Sequence, residues 1–306
     1  MEIKLLYKTD LEENLQNFCD LYHLCFNDKI DTNIVRQRYL QNPLDDLQMC
    51  VAIDNHKIVA NYSVSPTLLS KGDYKWKAAL SLNTMTHPDY VGQGLFVKLA
   101  DELNTQLKGE GYEMVYGFPN YISNRTFVTK LQWRNIYEIP TLELVIGNNL
   151  KYNVYNIVEC DNVDSFGNIN SEIIHIDKNK EYLKWRYIDK PNVKYYFIGT
   201  NNGGWCVYKY YEKMINIVDI NIDNSEDIYD VIGYLSNKCL SEGLEKITIW
   251  SAINTKQHLV FEKLGFRNRY PITYFACLDL GIGQRLNVDL YDYRNWMINM
   301  GDDNVY

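Results

Sequence analysis

A pair of glycines between a strand and a helix is the feature of this sequence most suited to chemistry. Gly92 and Gly94 flank Gln93, and they follow the apolar stretch Ala78–Thr86 and the strand-stopping residues His87-Pro88-Asp89. Apolar residues then recur at helical spacing: Leu95, Phe96, Leu99, Ala100, Leu103 and Leu107. The first turn of a helix has unpaired backbone N–H groups and partial positive charge, and glycines let a ligand approach them closely. The pattern favours an anion site, above all for pyrophosphate, although a tight turn that merely requires glycine has the same signature.

Other common ligand sites are not indicated. The loop has neither the G-x-G-x-x-G spacing of dinucleotide sites nor the lysine and serine that follow a Walker loop. The seven cysteines are scattered without a C-x-x-C pair, and the five histidines show no H-x-x-x-H spacing. We therefore predict reduced structural thiols and no metal site.

Three segments, in this order, resemble the GNAT superfamily of N-acyltransferases. They are PDYVGQGLF at Pro88–Phe96, GFPN at Gly117–Asn120 with Ser123 just beyond, and LQW at Leu131–Trp133. The resemblance implies that acetyl-CoA, or another acyl-CoA, is the co-substrate and that its pyrophosphate lies on the glycine loop. The family loop is usually [Q/R]-x-x-G-x-[G/A], so this chain departs from it by having Val91 and Phe96 at the outer positions.

The same resemblance implies a set of cofactor-binding residues. Backbone N–H groups of Met85 and Thr86 polarise the thioester carbonyl, as an oxyanion hole does. Asn120 and Ser123 bond the pantetheine arm or cap the helix that follows. The complete set is Met85, Thr86, Val91, Gly92, Gln93, Gly94, Leu95, Phe96, Asn120, Ser123 and Phe127.

A GNAT reaction needs a base for the acceptor amine and an acid for the leaving thiolate. Family members often place the acid as a tyrosine five residues before the aromatic of an L-G-F segment. Here that position is Val128, and the corresponding position in the second half is Phe261, neither of which donates a proton. Tyr121 is our substitute candidate for the acid, with a surface or stacking tyrosine as the alternative. Asn83, near the place where a glutamate base often occurs, is a candidate for orienting a water.

For two further polar residues, a structural role is the alternative to a catalytic one. Asp219 stands in an otherwise apolar predicted strand, and burial beside a cleft between the two halves would raise its pKa and suit it to act as a base. The alternative is a hydrogen-bonded structural carboxylate. His87 precedes a proline, where we expect a structural role at the end of a strand.

Length and composition limit the class of protein. The chain has 306 residues, 46% hydrophobic and 23% charged, which are the values of an ordinary soluble globular protein with one large or two average domains. Its net charge is −8 without a lysine or arginine cluster, so we expect no nucleic-acid partner. No stretch approaches 18 apolar residues and the start lacks a hydrophobic signal core, so we expect a cytoplasmic protein without membrane contact.

The chain is predicted to contain two GNAT-like halves of the α/β class, each a mixed and mostly antiparallel sheet flanked by helices. Leu264-Gly265-Phe266 occupies in the second half the place of Leu131-Gln132-Trp133 in the first, about one domain length later. We place the domains at residues 1–150 and 151–306. A single large mixed α/β domain is the alternative.

Only the first half is expected to bind CoA. The corresponding turn of the second half, Asp223–Asp227, contains three carboxylates and no glycine, so it would repel a pyrophosphate but would cap a helix well. We expect the second half to be a structural partner that helps to form the wall of the acceptor pocket. The final segment, Asn295–Tyr306, either is a frayed terminus or folds over the acceptor site so that Asp302 or Asp303 contacts an amine.

The periodicity of the sequence predicts the following elements. Strands are expected at Ile3–Tyr7, Met49–Ile53, Val59–Pro66, Leu80–Thr86, Met114–Phe118, Leu142–Ile146, Lys194–Gly199, Trp205–Tyr210, Ile215–Ile222, Lys246–Trp250 and Tyr274–Leu280. Helices are expected at Leu11–Phe26, Thr32–Leu40, from Leu95 to Glu110, Lys180–Tyr187, Ile228–Leu240 and Gln257–Leu264, with a short helix before Leu131.

The expected function is acyl-CoA-dependent transfer, of an acetyl group in the first instance, to a small amine such as an amino sugar, an amino acid or an aminoglycoside-like molecule. One alternative is an aminoacyltransferase resembling the peptidoglycan-building enzymes, although the acidic charge disfavours the tRNA that these use. The other is a GNAT-fold module that binds acyl-CoA or a partner without catalysis. The sequence identifies neither the acceptor nor the oligomeric state.

Overall fold

The chain divides into two compact units, each containing its own set of strands and helices. The computed structural model describes residues 1–44, 49–147, 152–167, 169 and 171–306. The first unit consists of Met1–Ile136, Asp189–Asn192 and Tyr274–Tyr291, and the second of Tyr137–Ile188, Val193–Thr273 and Asp292–Tyr306. The predicted domain boundary at residue 150 lies outside the described residues.

The described elements alternate in the manner of a mixed α/β protein. The strands are β1 (Glu2–Leu6), β2 (Met49–Asp54), β3 (Lys57–Lys71), β4 (Tyr74–Thr86), β5 (Met114–Gly117), β6 (Arg134–Val145), β7 (Ile157–Cys160), β8 (His175–Ile176), β9 (Tyr195–Thr200), β10 (Trp205–Tyr211), β11 (Met214–Asn221), β12 (Lys246–Trp250) and β13 (Arg267–Asp279). The α-helices are α1 (Lys8–Phe26), α2 (Thr32–Val35), α3 (Leu95–Gly109), α4 (Tyr121–Lys130), α5 (Lys180–Leu183), α6 (Ser225–Glu242), α7 (Lys256–Lys263) and α8 (Ile282–Leu286). Helices α2 and α5 continue as π-helical turns, Arg36–Leu40 and Lys184–Ile188.

The sheet of the first unit has the order β1-β2-β3-β4-β5, followed by the end of β13. Neighbouring strands are antiparallel except β4 and β5, which are parallel. Both faces are covered, because alternate residues of a strand point to opposite sides. In β2, for example, Cys50 and Ala52 belong to the cluster that contains α3, whereas Met49 and Val51 belong to the cluster that contains α1.

The sheet of the second unit has the order β6-β12-β11-β10-β9-β7. Here β11 and β12 are the parallel pair, and the other neighbours are antiparallel. Its main apolar cluster joins one face of the sheet to α6 and α7 through residues such as Ile217, Ile249, Val231, Leu235 and Phe261. Each unit therefore has a mixed, mostly antiparallel sheet flanked by helices, which confirms the predicted fold class.

Several elements are longer than their sequence pattern indicates. The strand predicted to end at Pro66 continues to Lys71, and its partner β4 begins at Tyr74 rather than Leu80. The pairing of β3 with β2 ends at Ser63. Pro66, which has no N–H to donate, therefore lies beyond the hydrogen bonds between these two strands. Similarly, β6 begins at Arg134 and not at Leu142, and β13 begins at Arg267 and not at Tyr274.

Candidate functional site

The N-terminus of α3 is open at the glycine loop. Gly94 is the N-cap with φ 72°, and Gly92 has φ 85°, both in the left-handed region that glycine adopts at little cost. None of the described side chains caps the helix, and its first turn contains no acidic residue. A Cβ added at either glycine would meet no atom within 4 Å, and Val91 beside them is 68% exposed. Unpaired backbone N–H groups and the positive end of the helix dipole therefore face open space, as an anion site requires.

The base of this loop is fixed by contacts within the first unit. The backbone N–H of His87 donates to the Val59 carbonyl at 2.8 Å, and the ring Nδ1 of His87 accepts from the Asp89 N–H at 3.2 Å. The Tyr90 hydroxyl donates to Asp54 Oδ2 at 2.7 Å. These bonds give His87 the role at the end of a strand that the sequence indicates, and they hold the glycines at the top of β4.

Strands β4 and β5 diverge directly beneath the loop. Their parallel pairing runs from Ala78 opposite Met114 to Leu80 opposite Tyr116, after which β5 ends at Gly117 and β4 continues to Thr86. The opening between two parallel strands leaves backbone groups of β4 without a partner strand on that side. A linear ligand can lie in such an opening and bond to the backbone of β4.

A bulge redirects β4 within this opening. Asn61 pairs with Met85 and Ser63 with Leu82, so two residues of β4 stand opposite the single residue Tyr62. Asn83 takes φ 37° at this bulge, a conformation that asparagine tolerates better than most residues. The Met85 side chain is buried in the α1 cluster, so only its backbone is available to a ligand.

Helix α4 forms the other side of the opening, and its first turn is capped by its own residues. Asn120 Oδ1 accepts from the Ser123 N–H at 2.9 Å, and the Ser123 hydroxyl lies 3.1 Å from the same oxygen. Of the two roles predicted for these residues, capping is therefore the one present. Phe127 is buried against Trp133, with ring centroids 4.3 Å apart.

The loop residues that depart from the usual pattern do not crowd the helix end. The ring of Phe96 packs edge-on against Phe127, with centroids 5.2 Å apart, and lies 5.9 Å from the ring of Tyr62. Leu95 is buried in the same cluster, so it offers a ligand only its backbone. Phe96 thus contributes to the core beneath the loop, whereas Val91 and Gln93 remain exposed beside it.

A buried polar cluster contacts the β4 bulge through Asn83. It was not predicted from the sequence. Asn83 Nδ2 donates to the Tyr39 hydroxyl at 2.9 Å, and the Tyr39 and Ser63 hydroxyls are 2.8 Å apart. Since Ser63 itself donates to the carbonyl of Leu82, Tyr39 must be the donor to Ser63. Complete burial raises the pKa of Tyr39, which keeps its phenol neutral.

The amide of Asn61 completes this cluster. Its Nδ2 donates to the backbone carbonyl of Asn83 at 2.7 Å and to Ser63 Oγ at 3.2 Å. A carbonyl can only accept, so the amide orientation is fixed and Oδ1 points elsewhere. Asn61 Oδ1 is buried without a hydrogen-bond partner among the described residues. An available signal was the polar residue at every second position of β3, at Asn61, Ser63, Ser65 and Thr67.

Comparison with known proteins identifies the first part of the chain. Residues 7–135 match the sequence model of the acetyltransferase (GNAT) domain. This part of the chain is a GNAT domain. No curated protein sequence matches the chain.

Solved structures with low sequence identity share the fold. They include a probable N-acyltransferase from Enterococcus faecalis V583, with 12% identity, a TM-score of 0.69, and coverage of 92% of this chain and 72% of that chain. A GCN5-related N-acetyltransferase from Anabaena variabilis ATCC 29413 has 12% identity, a TM-score of 0.69, and coverage of 92% and 74%. Eis1 from Mycobacterium abscessus has 12% identity, a TM-score of 0.63, and coverage of 94% and 76%. At this identity the similarity shows the fold alone.

Two of the three catalytic candidates lie in the first unit. Asn83 is on the β4 bulge of the GNAT domain, and its Oδ1 makes no hydrogen bond within the described part of the chain, which leaves that oxygen as an acceptor. Tyr121 begins α4 and is 80% exposed. Val128, at the position where a tyrosine is usual, is 39% exposed on the same helix.

The third candidate, Asp219, is a buried carboxylate of the second unit whose two oxygens both have partners. It has no exposed surface, its Oδ1 lies 2.7 Å from Lys178 Nζ, and its Oδ2 accepts from the Tyr187 hydroxyl at 2.7 Å. Both oxygens are therefore already bonded, which suits the structural alternative given above and not proton abstraction.

The final segment of the chain is packed within the second unit and is not frayed. Met300–Asp302 forms a buried turn, and Asp302 Oδ1 lies 2.8 Å from Lys178 Nζ. Arg186 is buried and donates to the backbone oxygens of Gly301, Asp303 and Tyr306 at 3.0, 2.8 and 2.6 Å. The expectation of a frayed terminus is therefore wrong, because a buried cation bonds three of its carbonyl groups.

The N-terminus of α6, in the second unit, does not favour an anion. Asn224 caps α6 by accepting from the Glu226 N–H at 2.9 Å, and Glu226 and Asp227 occupy the first turn. Asp227 also accepts from Thr200 Oγ1 at 3.0 Å. These carboxylates fill the positions that an anionic ligand would need, as the sequence predicts.

Among the residues that the structure describes, no group of three or more histidine, cysteine or acidic side chains is placed to hold a metal ion. None of the helices described is long and apolar enough to cross a membrane.

Proposed function

We propose that the GNAT domain of this chain binds acyl-CoA and transfers its acyl group, acetyl in the first instance, to a small amine. The observation that carries the proposal is the uncapped, acid-free N-terminus of α3 behind two left-handed glycines, above diverging parallel strands. Pyrophosphate suits the helix end because its charge is stabilised there by backbone donors. The opening between β4 and β5 suits a pantetheine arm, since that arm has amide groups that pair with a strand.

The residues around the bulge suit an amine acceptor. Asn61 Oδ1 is buried without a partner among the described residues, Asn83 bonds Tyr39 through Nδ2 and not through Oδ1, and the Asn61 amide bonds to the backbone of Asn83. An amine or a water presents N–H or O–H donors that satisfy such oxygens, whereas an anion would be repelled. In the proposed reaction the acceptor nitrogen attacks the thioester carbon and the C–S bond breaks. The amine proton passes to water oriented by Asn83, and the thiolate takes a proton from Tyr121.

We extend the proposal to the whole chain as a pair of GNAT-like units in which only the first has a donor site. The second unit has the same succession of antiparallel hairpin, bulged strand, helix, parallel strand and helix. Its bulge leaves Val218 without a partner between Asp219 and Ile217. The carboxylates in the first turn of α6 support the absence of a second donor site.

Release of free thiol from acetyl-CoA tests the reaction directly. Purified protein is supplied with acetyl-CoA and a panel of amino sugars, amino acids and aminoglycosides, and the thiol is measured with a chromogenic reagent. At least one amine is expected to accelerate thiol release above the rate of hydrolysis. Asn83→Leu is expected to lower kcat for that amine, because the water that takes the amine proton loses its orienting acceptor, while acetyl-CoA affinity is retained. Binding of acetyl-CoA without turnover on any amine would favour the non-catalytic module, for which Val128 at the usual tyrosine position is the supporting observation.

Tyr121→Phe is expected to lower kcat by about a hundredfold with little change in the affinity for acetyl-CoA, since general acid catalysis contributes about that much. Tyr121 is 80% exposed, so the loss of its hydroxyl should not affect folding. In the same background, Val128→Tyr places a phenol at the usual family position and should restore part of kcat. An unchanged kcat in Tyr121→Phe would remove Tyr121 from the mechanism.

A further inference from the structure

The sheet of the second unit has two faces of opposite character. Its helix-covered face is apolar and contains Leu142, Leu144, Ile215, Ile217, Ile247 and Ile249. On the other face, the register places Lys209 opposite Asn216, Asn216 beside Thr248, and Thr248 opposite Glu143. Residues in direct register share a face, so four polar side chains cross this sheet in one row.

The polar residues in the middle of this row are buried. Asn216 is 5% exposed and Thr248 is 2% exposed, and Thr141, on the same face of β6, is 8% exposed. The Thr248 hydroxyl donates to Asn216 Oδ1 at 2.7 Å, which leaves the Nδ2 donors of Asn216 without a bond among the described residues. Burying such groups is unfavourable unless something bonds to them, so a face that only packed against other elements would be apolar, as the opposite face is.

This polar face opens onto a cavity of about 440 Å³. The described residues that line it belong to the second unit and include Lys209, Met214, Asn216, Thr248, Arg269 and Met300. The volume and the mixture of apolar walls with a few polar groups are those of small-molecule sites.

Lys209 is a cation of this cavity for which the described residues provide no counter-ion. Lys209 forms no ion pair within the described part of the chain, and its Nζ lies 5.6 Å from the centre of the Tyr306 ring. Burial, and then the charge of Arg186, lower the pKa of Lys209 to about 8. Across the cavity, Arg269 Nε lies 3.6 Å from Glu143, which also lies 3.0 Å from Lys246 Nζ. The acidic lining residue Glu212 is exposed at the edge, so the interior is cationic in a chain whose net charge is −8.

We propose that this cavity binds a small organic anion, with Lys209 as its charge partner and Asn216 as a hydrogen-bond donor to it. The shared chemistry is an anionic oxygen, either of a carboxylate or of a phosphate. This site is separate from the acyl-CoA site of the GNAT domain and does not depend on it.

Methionine methyl groups provide local probes. The chain has seven methionines, of which Met214 and Met300 line the cavity, whereas Met49 and Met114 are buried in the first unit. Protein labelled with ¹³C at the methionine methyl groups is titrated with succinate, with inorganic phosphate and with neutral succinamide at constant ionic strength. We expect saturable shifts at Met214 and Met300 with succinate or phosphate at millimolar concentrations, no shifts at Met49 and Met114, and none with succinamide.

Matched variants show whether Lys209 is the charge partner. Lys209→Met keeps the length of the side chain without its charge and should weaken anion binding about tenfold or more, as loss of a charged hydrogen bond does. Lys213→Met, at an exposed lysine paired with Glu245, should bind as the parent does. A larger response to succinate indicates a carboxylate ligand, and a larger response to phosphate indicates a phosphate ligand. The proposal is overturned if neither anion gives saturable shifts at Met214 and Met300, or if Lys209→Met binds as tightly as the parent.

Discussion

Lys178→Met is expected to destabilise the second unit by about 3–5 kcal/mol, the cost of removing one partner from a buried ion-pair network. The side chain of Lys178 is 1% exposed, and it lies 2.7 Å from Asp219 and 2.8 Å from Asp302, which are equally buried. Burial alone would lower the pKa of Lys178, but the two carboxylates raise it above its ordinary value. Methionine would leave two buried carboxylates together without a counter-ion, an arrangement that favours unfolding or protonation.

The pH dependence of this variant has a definite sign. Burial raises the pKa of Asp302, and Lys178 opposes that shift. Without Lys178, the folded chain takes up a proton more readily than the unfolded chain, so the stability of the variant should rise as the pH falls from about 7 to about 5. In the parent, the stabilisation from a raised lysine pKa is present below about pH 10 and is lost as the pH rises through the folded pKa.

Urea unfolding monitored by circular dichroism and tryptophan fluorescence measures these effects. Lys213→Met, at an exposed ion pair, is the matched control and should change the free energy of unfolding little. Adding Asp219→Asn and Asp302→Asn to Lys178→Met removes the remaining charges and should recover part of the loss. Equal stability of the parent and Lys178→Met would contradict the ion-pair network.

Gly94→Asp is expected to weaken acetyl-CoA binding about a hundredfold or more, because like charges brought together at a binding surface cost several kcal/mol. The aspartate would carry its charge at the N-cap of α3, where the pyrophosphate is proposed to bind. A Cβ at Gly94 meets no neighbour within 4 Å, so the substitution should not disturb packing. Its φ of 72° is strained for aspartate, though less than for most residues.

Two further variants distinguish the effects of the aspartate charge and of its position from the effect of backbone strain at Gly94. Gly94→Asn has the same shape and strain without the charge, and should lose less affinity than the aspartate. Gly111→Asp puts the same side chain at another exposed glycine with φ 84° and free space, beyond the other end of α3, and should bind acetyl-CoA as the parent does. Calorimetric titration of all four proteins provides the comparison. Parent-like affinity in Gly94→Asp would place the donor elsewhere.

The geometry of the proposed donor site was largely predictable from sequence because its determinants are local. A strand, two glycines and the first turn of a helix lie within some twenty residues, and the glycines have the left-handed conformations for which glycine is used. The sequence shows that Phe96 is a bulky residue near the start of this helix. Its direction, toward Tyr62 and Phe127, depends on residues of β3 and α4 that local patterns do not place.

The buried polar networks were not predictable in the same way. Asp219 was recognisable as an acidic residue in an apolar strand. Its partner Lys178, however, lies 41 residues away, and no periodicity in the sequence connects the two. The role of Gly301 depends equally on the fold: a Cβ there would overlap Tyr187 Oη and lie 3.0 Å from the Val218 carbonyl. Such close approaches decide how the last residues pack, yet they leave no pattern in the sequence.

Native mass spectrometry with acetyl-CoA counts the molecules bound to each chain and so distinguishes one donor site from two. We expect a single acetyl-CoA per chain at saturation, its loss in Gly94→Asp and its retention in Gly111→Asp. Two molecules per chain, or one that persists in Gly94→Asp, would contradict a single donor site at the N-terminus of α3.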